Sequence, residues 1–352
     1  MQKSRHHQPA GLTGRAAAAG ELGTLLGSER LVTVFGPGCV GKSALAAEVA
    51  YRLAGGRWAA TGSGDLATLN DPGLLPHRLA RALRLDGDPA RPQLDALAQA
   101  VGTRRVLLVV DTCERLAEPC AEVFARLVRA CPGLHLLATS RSAPAPSGGA
   151  VFPLRPLPIG AATTLFRTDA RRSGAGDVAP GPAREICGLL DGLPLAVRAA
   201  AAQLTRRTPA DLLSCLSQPE FVLDLPAPLP GLPERQRTLR GSLRWSLQIC
   251  TPLERLLWAR CSVFPAAFTR HDAGEVCGDE RLPPEALATA FAGLARQALV
   301  LPEAGAEPVP GPAASLFRML RGTRAYGRQW LVELGEEREL LRRCLEWSLR
   351  HT

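Results

Sequence analysis

The sequence has 352 residues, 46% of them apolar, which is enough for two or three domains with a substantial core and excludes a disordered chain. The formal net charge is +9, but the basic residues are scattered, and only Lys3 and Lys42 are lysines, so the charge alone does not predict a nucleic-acid surface. The ten cysteines include no Cys-x-x-Cys pair, which argues against a zinc site. The polar N-terminus does not resemble a signal peptide and no run could cross a bilayer, so we expect a cytoplasmic protein.

Four segments follow one another along the chain. Residues 1–12 form a polar leader. In residues 13–158 short apolar runs alternate with helical patterns, which predicts a nucleotide-binding domain with a parallel sheet and crossover helices. Residues 159–232 keep only helical periodicity, and a Pro-rich linker ends them. Residues 233–352 combine helices with two short β-like pieces around a Pro/Gly-rich loop (302–312), which is typical of a winged-helix domain followed by the start of a truncated helical region.

The apolar pattern also predicts the individual elements. The clearest strands are 31–35, 105–110 and 134–138, each a near-continuous apolar run, as expected for strands buried on both faces. The two β-like pieces lie at 298–301 and 316–320. The predicted helices are 43–53, 73–85, 93–101, 117–130, 161–172, 183–190, 195–204, 209–216, 236–248, 252–261, 284–297 and 321–334.

Residues 36–43, Gly-Pro-Gly-Cys-Val-Gly-Lys-Ser, satisfy the phosphate-loop pattern G-x-x-x-x-G-K-[ST] between a predicted strand and a predicted helix. The glycines let the backbone wrap a phosphate with its N–H groups inward, and the helix N-terminus adds positive charge. We expect Lys42 to reach the β- and γ-phosphates and the Ser43 hydroxyl to bind Mg²⁺. The alternative is a chance Gly-rich turn, but a rare lysine falls where a compact ammonium is needed. Cys39 is either a redox-sensitive thiol or a tolerated small residue.

Acidic and polar residues follow the next two predicted strands. Asp111 directly follows the run 105–110. A phosphate-loop fold needs an acid at the end of a neighbouring strand to hold Mg²⁺ through water. Glu114 could polarise a water or pair with an arginine. Because Thr112 and not an acid directly follows Asp111, we expect a weak ATPase at most. Arg141, after the third strand, could sense the γ-phosphate with its planar fork, or could be a surface arginine.

Taken together, these residues resemble the NB-ARC class of STAND signalling ATPases, and in particular the ATP-binding modules of actinobacterial AfsR-like and large LuxR-type transcriptional regulators. The similarity extends over nearly the whole chain. It is carried by Thr13-Gly14-Arg15 for the family's opening motif, 31–46 for its strand, loop and helix, 107–116 for its metal-binding strand, 137–141 for its sensor strand, 152–157 for the exit to its lid, 191–196 (Asp-Gly-Leu-Pro-Leu-Ala) for its lid motif, and 235–264 for the first helices of its winged helix.

The resemblance implies an α/β fold in which a P-loop NTPase parallel sheet is followed by a helical lid and a winged-helix domain. It implies an ATP- or ADP-binding molecular switch with Mg²⁺, in which the nucleotide lies between sheet domain and lid, and in which exchange of ADP for ATP exposes a surface for homo-oligomerisation. A DNA-binding output domain or partner would lie outside this chain. The implied nucleotide-binding residues are Arg15 (against the adenine), Gly36, Gly38, Cys39, Val40, Gly41, Lys42, Ser43, Ala44, Arg141 and Pro194, with Ser43 and Asp111 at the metal and Asp111 and Glu114 as catalytic candidates.

The chain departs from the family at two places. The winged-helix His-Asp motif is not evident near residues 316–324, and Gly62 and Gly64 stand where the family has a bulky second strand.

Two other functions stay open at this point. One is a metabolic P-loop phosphotransferase, which would pass a phosphoryl group to a small molecule. The other is direct DNA binding through the winged helix, since Arg235, Arg237, Arg240 and Arg244 give that region a basic face. A GTPase is disfavoured, because the usual guanine-reading motif needs an aspartate two residues after a lysine.

Overall fold

The computed structural model describes residues 12–54, 58–83, 93–143, 149–228, 232–303 and 315–351. The predicted leader 1–12 and the predicted loop 302–312 lie almost wholly outside these residues. The described residues fall into two compact units. The first unit holds the chain up to residue 36 together with residues 40–155, and the second holds residues 37–39 and those from 156 onward.

A five-stranded parallel sheet forms the centre of the first unit, in the order β2-β3-β4-β1-β5. This confirms the predicted α/β class. The strands are β1 Leu31–Phe35, β2 Ala60–Asp65, β3 Val106–Asp111, β4 Leu134–Ser140 and β5 Ala150–Pro153. The helices are α1 Ala16–Ser28, α2 Lys42–Leu53, α3 Leu75–Ala82, α4 Gln93–Val101 and α5 Ala117–Ala130, with short 3-10 turns at Pro72–Leu74 and Glu114–Leu116.

Strands β3 and β4 lie in the interior of the sheet and are buried almost along their whole length. Their sequences read as continuous apolar runs because helices cover both faces of a parallel sheet, so neither face has to be polar. Helix α5 supplies part of that cover and buries Cys120, Phe124 and Leu127 on one face. The side chains at the carboxyl ends of the strands are therefore carried by a rigid core.

Strand β2 lies at one edge of the sheet and departs from this pattern, because its sequence is Ala-Thr-Gly-Ser-Gly-Asp. A Cβ atom added at Gly62 would lie 2.5 Å from the carbonyl oxygen of Ala82, and one added at Gly64 would lie 3.2 Å from the Ala82 Cβ. The end of α3 therefore packs directly on the backbone of β2. This close approach is the physical reason why glycines stand where a bulky strand was expected.

The second unit is mainly helical, and its few strands form a three-stranded antiparallel sheet in the order β6-β8-β7. The strands are β6 Phe268–Thr269, β7 Leu301–Pro302 and β8 Leu316–Arg318. The helices are α6 Ile159–Arg172, α7 Pro180–Leu189, α8 Pro194–Gln203, α9 Pro209–Leu216, α10 Pro219–Asp224, α11 Glu234–Arg237, α12 Leu239–Ile249, α13 Pro252–Cys261, α14 Arg270–Cys277, α15 Pro284–Arg296, α16 Arg321–Glu333 and α17 Glu337–His351.

Helix termini in the second unit are set by local sequence. Thr208, Thr251 and Thr269 each form a capping box, in which the hydroxyl accepts a backbone N–H and an acid three residues later returns the bond. The predicted β-like piece 298–301 is wrong at its start. Ala298 has a left-handed φ of 51° and the Leu299 N–H donates to the Leu294 carbonyl at 3.0 Å, so these residues close α15 and the strand begins only at Leu301.

In the described part of the chain, no helix combines the length and the apolar character that crossing a bilayer would require.

Candidate functional site

The phosphate loop, residues 36–43, leaves the end of β1 and enters α2. Gly41 caps α2 with a left-handed φ of 94°, and Cys39 is also left-handed, with a φ of 65°. Both conformations turn the chain sharply before the helix begins at Lys42. A Cβ atom at Gly36 would collide with the carbonyl oxygen of Leu154, so only glycine fits there. The loop is therefore shaped by backbone geometry that the motif's glycines permit.

Lys42 and its neighbours occupy the first turn of α2. Lys42 is 9% exposed, and its ammonium donates a hydrogen bond to the Gly36 carbonyl at 2.7 Å. The charge therefore lies beside the first residue of the loop. The next two residues, Ser43 and Ala44, are exposed. Positive charge from the ammonium and from the helix N-terminus is thus concentrated at one point, which suits a polyphosphate.

Ser43 meets Asp111 at the carboxyl edge of the sheet. The Ser43 hydroxyl donates to Asp111 Oδ1 at 2.7 Å. Ser43 lies in the first turn of α2, which follows β1, and Asp111 ends β3, which is not a neighbour of β1 because β4 lies between them. The expectation of an acid on the adjacent strand was therefore wrong in that detail, although the side chains still come together. A hydroxyl and a carboxylate are hard oxygen donors, and the pair fits Mg²⁺ that takes its remaining ligands from phosphate and water.

Thr139 on β4 holds the same carboxylate from the intervening strand. Its hydroxyl donates to Asp111 Oδ1 and accepts the Thr112 N–H at 3.2 Å. Thr112 has a left-handed φ of 63°, unusual for a β-branched residue, and is buried. From the sequence, Thr139 was assigned only to the segment 137–141, without a role of its own. Its contact with Asp111 makes it an additional site residue.

Glu114 and Arg141 form a buried pair. Glu114 Oε1 lies 3.5 Å from the Arg141 Nε, and Oε2 accepts the Arg141 backbone N–H at 3.4 Å. Both side chains are less than a tenth exposed. Of the two alternatives for Glu114, the contact with an arginine is the one present in this structure. A carboxylate engaged in this way is poorly placed to accept a proton from water.

Arg15 lies just before α1 and is 8% exposed. Its Nη2 donates to the carbonyl of Val40 at 3.0 Å and to the carbonyl of Arg155 at 2.8 Å. Burial lowers the pKa of this guanidinium. Arg15 therefore contacts the phosphate loop through a backbone carbonyl.

Pro194 belongs to the second unit, where it is the first residue of α8. It follows a tight turn in which Gly192 has a left-handed φ of 62° and a Cβ there would collide with the Leu157 carbonyl oxygen. Asp191, in the same turn, accepts the Arg321 N–H at 2.5 Å, and its other oxygen lies 3.5 Å from Arg318 Nη1. Burial raises the pKa of the Asp191 carboxyl. The carboxylate therefore joins this turn to the N-terminus of α16.

The four arginines of the predicted basic face are mostly engaged within the second unit. Arg240 pairs with Asp224 at 2.6 Å, and Arg237 donates to the Leu232 carbonyl at 3.0 Å. The Arg235 guanidinium lies 5.5 Å from the centre of the Trp245 ring. Among the four, Arg237 and Arg244 are exposed. Of the four charges, the one on Arg240 is therefore offset by a carboxylate.

Comparison with known proteins places the chain among mycobacterial relatives. Rv0894 of Mycobacterium tuberculosis (strain H37Rv), an uncharacterised protein, is 33% identical over 354 residues, which span 97% of this chain and 87% of that protein. The chain belongs to the Rv0894 family. The Mycobacterium bovis protein Mb0918, also uncharacterised, matches with the same identity and coverage. No protein-family profile matches the chain.

The chain is also similar to part of a larger protein. Rv0890c of M. tuberculosis, named as a predicted HTH-type transcriptional regulator, is 33% identical over 319 residues, or 89% of this chain. This chain spans only 35% of the length of Rv0890c.

Solved structures that resemble this member of the Rv0894 family are P-loop ATPases. A Walker-type ATPase of Pyrococcus abyssi superposes with a TM-score of 0.62 at 14% identity, over 90% of this chain and 95% of that one. The ORC2 protein of Aeropyrum pernix, solved in ADPNP–ADP complexes, has a TM-score of 0.54 at 13% identity, over 97% and 96% of the two chains. At such identities the likeness concerns the fold, which is that of P-loop ATPases.

Proposed function

We propose that this chain is an ATP- and ADP-binding molecular switch of the STAND type that serves transcriptional regulation. The observation that carries the proposal is the meeting of Ser43 and Asp111, 2.7 Å apart, beside the first turn of α2. The Lys42 ammonium lies on the same loop. A hydroxyl, a carboxylate and an ammonium in this arrangement are the groups that bind a Mg²⁺–nucleoside triphosphate in phosphate-loop proteins.

Each of these groups has its own part in the proposed complex. Lys42 would exchange its bond to the Gly36 carbonyl for phosphate oxygens, which are the stronger acceptors because they are charged. Ser43 would bind Mg²⁺ directly and Asp111 would hold it through water. The helix N-terminus at Gly41 would meet the phosphates with its N–H groups.

Hydrolysis is proposed to be slow. Thr112 stands directly after Asp111, and the nearest acid further along, Glu114, is paired with Arg141. The pair gives Arg141 a defined position near the site, which supports its predicted part as a sensor of the γ-phosphate. A nucleotide state that persists suits a switch better than a metabolic phosphotransferase, because a switch works through the difference in affinity between two conformations.

The regulatory part of the proposal is supported by the name of Rv0890c, of which this chain spans 35%. We propose that the segments 13–158, 159–232 and 233–352 act as nucleotide domain, lid and winged-helix domain, and that DNA is bound by a separate output domain or partner. The contacts of Arg235 with the Trp245 ring, of Arg237 with a backbone carbonyl and of Arg240 with Asp224 hold these side chains within the unit, which favours this over DNA binding by the winged helix itself. A gel-shift affinity that falls steeply with salt would instead favour direct binding.

Calorimetric titration of ATP, ADP and GTP, with and without Mg²⁺, tests the site. Lys42→Ala removes a charged hydrogen bond of about 1.5–3 kcal/mol, so its Kd for ATP should rise by about 10- to 150-fold. Arg52→Ala is the matched control, because it removes a half-exposed cation from the far end of the same helix. Equal ATP affinity of wild type and Lys42→Ala defeats the assignment.

The switch itself is tested by loading the protein with ADP or with ATP. We expect the two forms to differ in hydrodynamic size or in their pattern of limited proteolysis. Identical size and identical cleavage kinetics in both forms would leave a nucleotide-binding protein without a switch.

A further inference from the structure

Arg15 bridges two carbonyl groups that are far apart in sequence. A single nitrogen, Nη2, donates to Val40 at 3.0 Å and to Arg155 at 2.8 Å, across 25 and 140 residues. The side chain is 8% exposed, and no carboxylate in the described part of the chain forms an ion pair with it. A buried guanidinium that joins two backbone carbonyls through one nitrogen has a structural task, because it holds those two segments of the chain together.

Val40 is the residue whose position matters for phosphate binding. It is fully buried and directly precedes Gly41 and Lys42. A loop that turns its N–H groups toward a phosphate turns carbonyl groups away, and each of those needs a partner when it is buried. Arg15 supplies that partner to Val40 and so fixes the peptide unit that leads into α2.

The chain that leaves β5 braces the other end of the loop. The Leu154 carbonyl lies where a side chain of Gly36 would be, and the Leu154 N–H donates to the Phe35 carbonyl at 2.7 Å. Arg155 follows directly, and its carbonyl accepts the hydrogen bond from Arg15 Nη2. Residues 154–155 thus support the start of the loop by direct contact and its end through Arg15.

We propose that Arg15 is a positioning residue of the phosphate loop, which acts on bound phosphate through the Val40 carbonyl and not by contact with the base. The inference rests on the proposed function, since it concerns how the same loop binds phosphate. It links the N-terminal segment and residues 154–155 to the occupancy of the loop.

The test compares ATP with inorganic tripolyphosphate, which has no base. Arg15→Met keeps the length of the side chain and removes its donors. We expect it to weaken the binding of ATP, ADP and tripolyphosphate, all measured with Mg²⁺, by the same factor of about ten, because the bond to the Val40 carbonyl, worth about 1.4 kcal/mol, is the lost one that acts on the loop. Arg15→Lys can reach one carbonyl but not both, so its affinities should lie between those of Arg15→Met and those of the wild type.

Arg30 provides a matched control. Its Nη1 also donates to two carbonyls, those of Val128 at 2.6 Å and Cys131 at 3.3 Å, away from the loop. Arg30→Met should therefore leave all three affinities unchanged. Weaker ATP binding by Arg15→Met with unchanged tripolyphosphate binding would mean contact with the base and would overturn the proposal. So would a wild-type protein that binds ATP but not tripolyphosphate.

Hydrogen exchange on the wild-type protein keeps the proposal testable if the Arg15 variants do not fold. Tripolyphosphate should slow amide exchange in residues 12–19 and 150–155 as well as in the loop, and protection confined to the loop would contradict the linkage. The two proposals fail separately. If Lys42→Ala loses nucleotide and Arg15→Met does not, only the positioning role is wrong, whereas full affinity in Lys42→Ala removes the site itself.

Discussion

A methyl group added at Gly36 tests how tightly the phosphate loop is packed. The nearest atoms to the new Cβ would be the Leu154 carbonyl oxygen, in direct collision, and the Leu154 carbonyl carbon at 3.3 Å. These are backbone atoms, and the Leu154 N–H is bound to the Phe35 carbonyl at 2.7 Å, so they cannot rotate aside. The φ of Gly36 is 158°, at the edge of the range that L side chains rarely adopt, so the collision adds to an unfavourable backbone conformation.

The expected cost of Gly36→Ala follows from these contacts. Overpacking costs about 1–3 kcal/mol, and loss of the Leu154 bond to Phe35 adds about 1 kcal/mol. The free energy of unfolding should fall by roughly 2–4 kcal/mol, which is roughly 5–15 °C in the Tm of a unit of this size. Because the loop must move to relieve the collision, ATP affinity should fall as well.

Gly20→Ala is the matched control for this substitution. Gly20 lies in α1, and no atom lies within 4 Å of a Cβ added there. Alanine is the better helix former, so the unfolding free energy should rise by about 0.5–1 kcal/mol. Circular dichroism during thermal and denaturant unfolding measures the free energy of unfolding, and ATP titration measures the affinity for ATP. If Gly36→Ala matches Gly20→Ala in both, the packing argument is wrong.

Three further expectations concern the second unit. Gly192→Ala should lower its unfolding free energy by about 2–4 kcal/mol, because of left-handed backbone strain and collision with Leu157. Gly160→Ala, where no atom lies within 4 Å of the added Cβ, should not lower it. The midpoints of urea unfolding measure both effects. A hydrogen bond from Arg260 holds the pKa of Asp279 at about 2, below its ordinary 3.8. The unfolded chain therefore binds the proton first, stability falls as pH drops from about 4 towards 2, and Asp279→Asn should flatten that part of a pH–stability curve. Arg260→Met removes the 2%-exposed guanidinium that pairs with Asp279 and Glu336, which should destabilise the protein by about 3 kcal/mol, and a loss below 1 kcal/mol in denaturant unfolding would contradict this.

Much of the first unit could be predicted from the sequence because its central strands have no polar face. Strands β1, β3 and β4 are nearly continuous apolar runs, and their predicted bounds differ by at most two residues from those observed. Strands β2 and β5 lie at the edges of the sheet. The first is rich in glycine because α3 packs on its backbone, and the second is four residues long, so neither carries a periodic signal.

Local sequence patterns predicted which residues belong to the site but not which residues they contact. The phosphate-loop motif fixed the positions of Lys42 and Ser43, and the end of an apolar run identified Asp111. The contact of Arg15 with Arg155 spans 140 residues, and the one between Arg141 and Glu114 spans 27. Contacts across such distances depend on how the strands are ordered in the sheet, which no short-range pattern specifies.

The position of β4 between the loop strand and the Asp111 strand has a mechanical consequence. Of the two groups proposed to hold Mg²⁺, the Ser43 hydroxyl lies on the helix that follows β1, and the Asp111 carboxylate lies at the end of β3, with β4 between the two strands. Thr139 lies on β4, and its hydroxyl donates a hydrogen bond to the Asp111 carboxylate. A movement of the Asp111 carboxylate would therefore also disturb its bond from the Thr139 hydroxyl, which in turn accepts the N–H of Thr112, a residue with left-handed backbone.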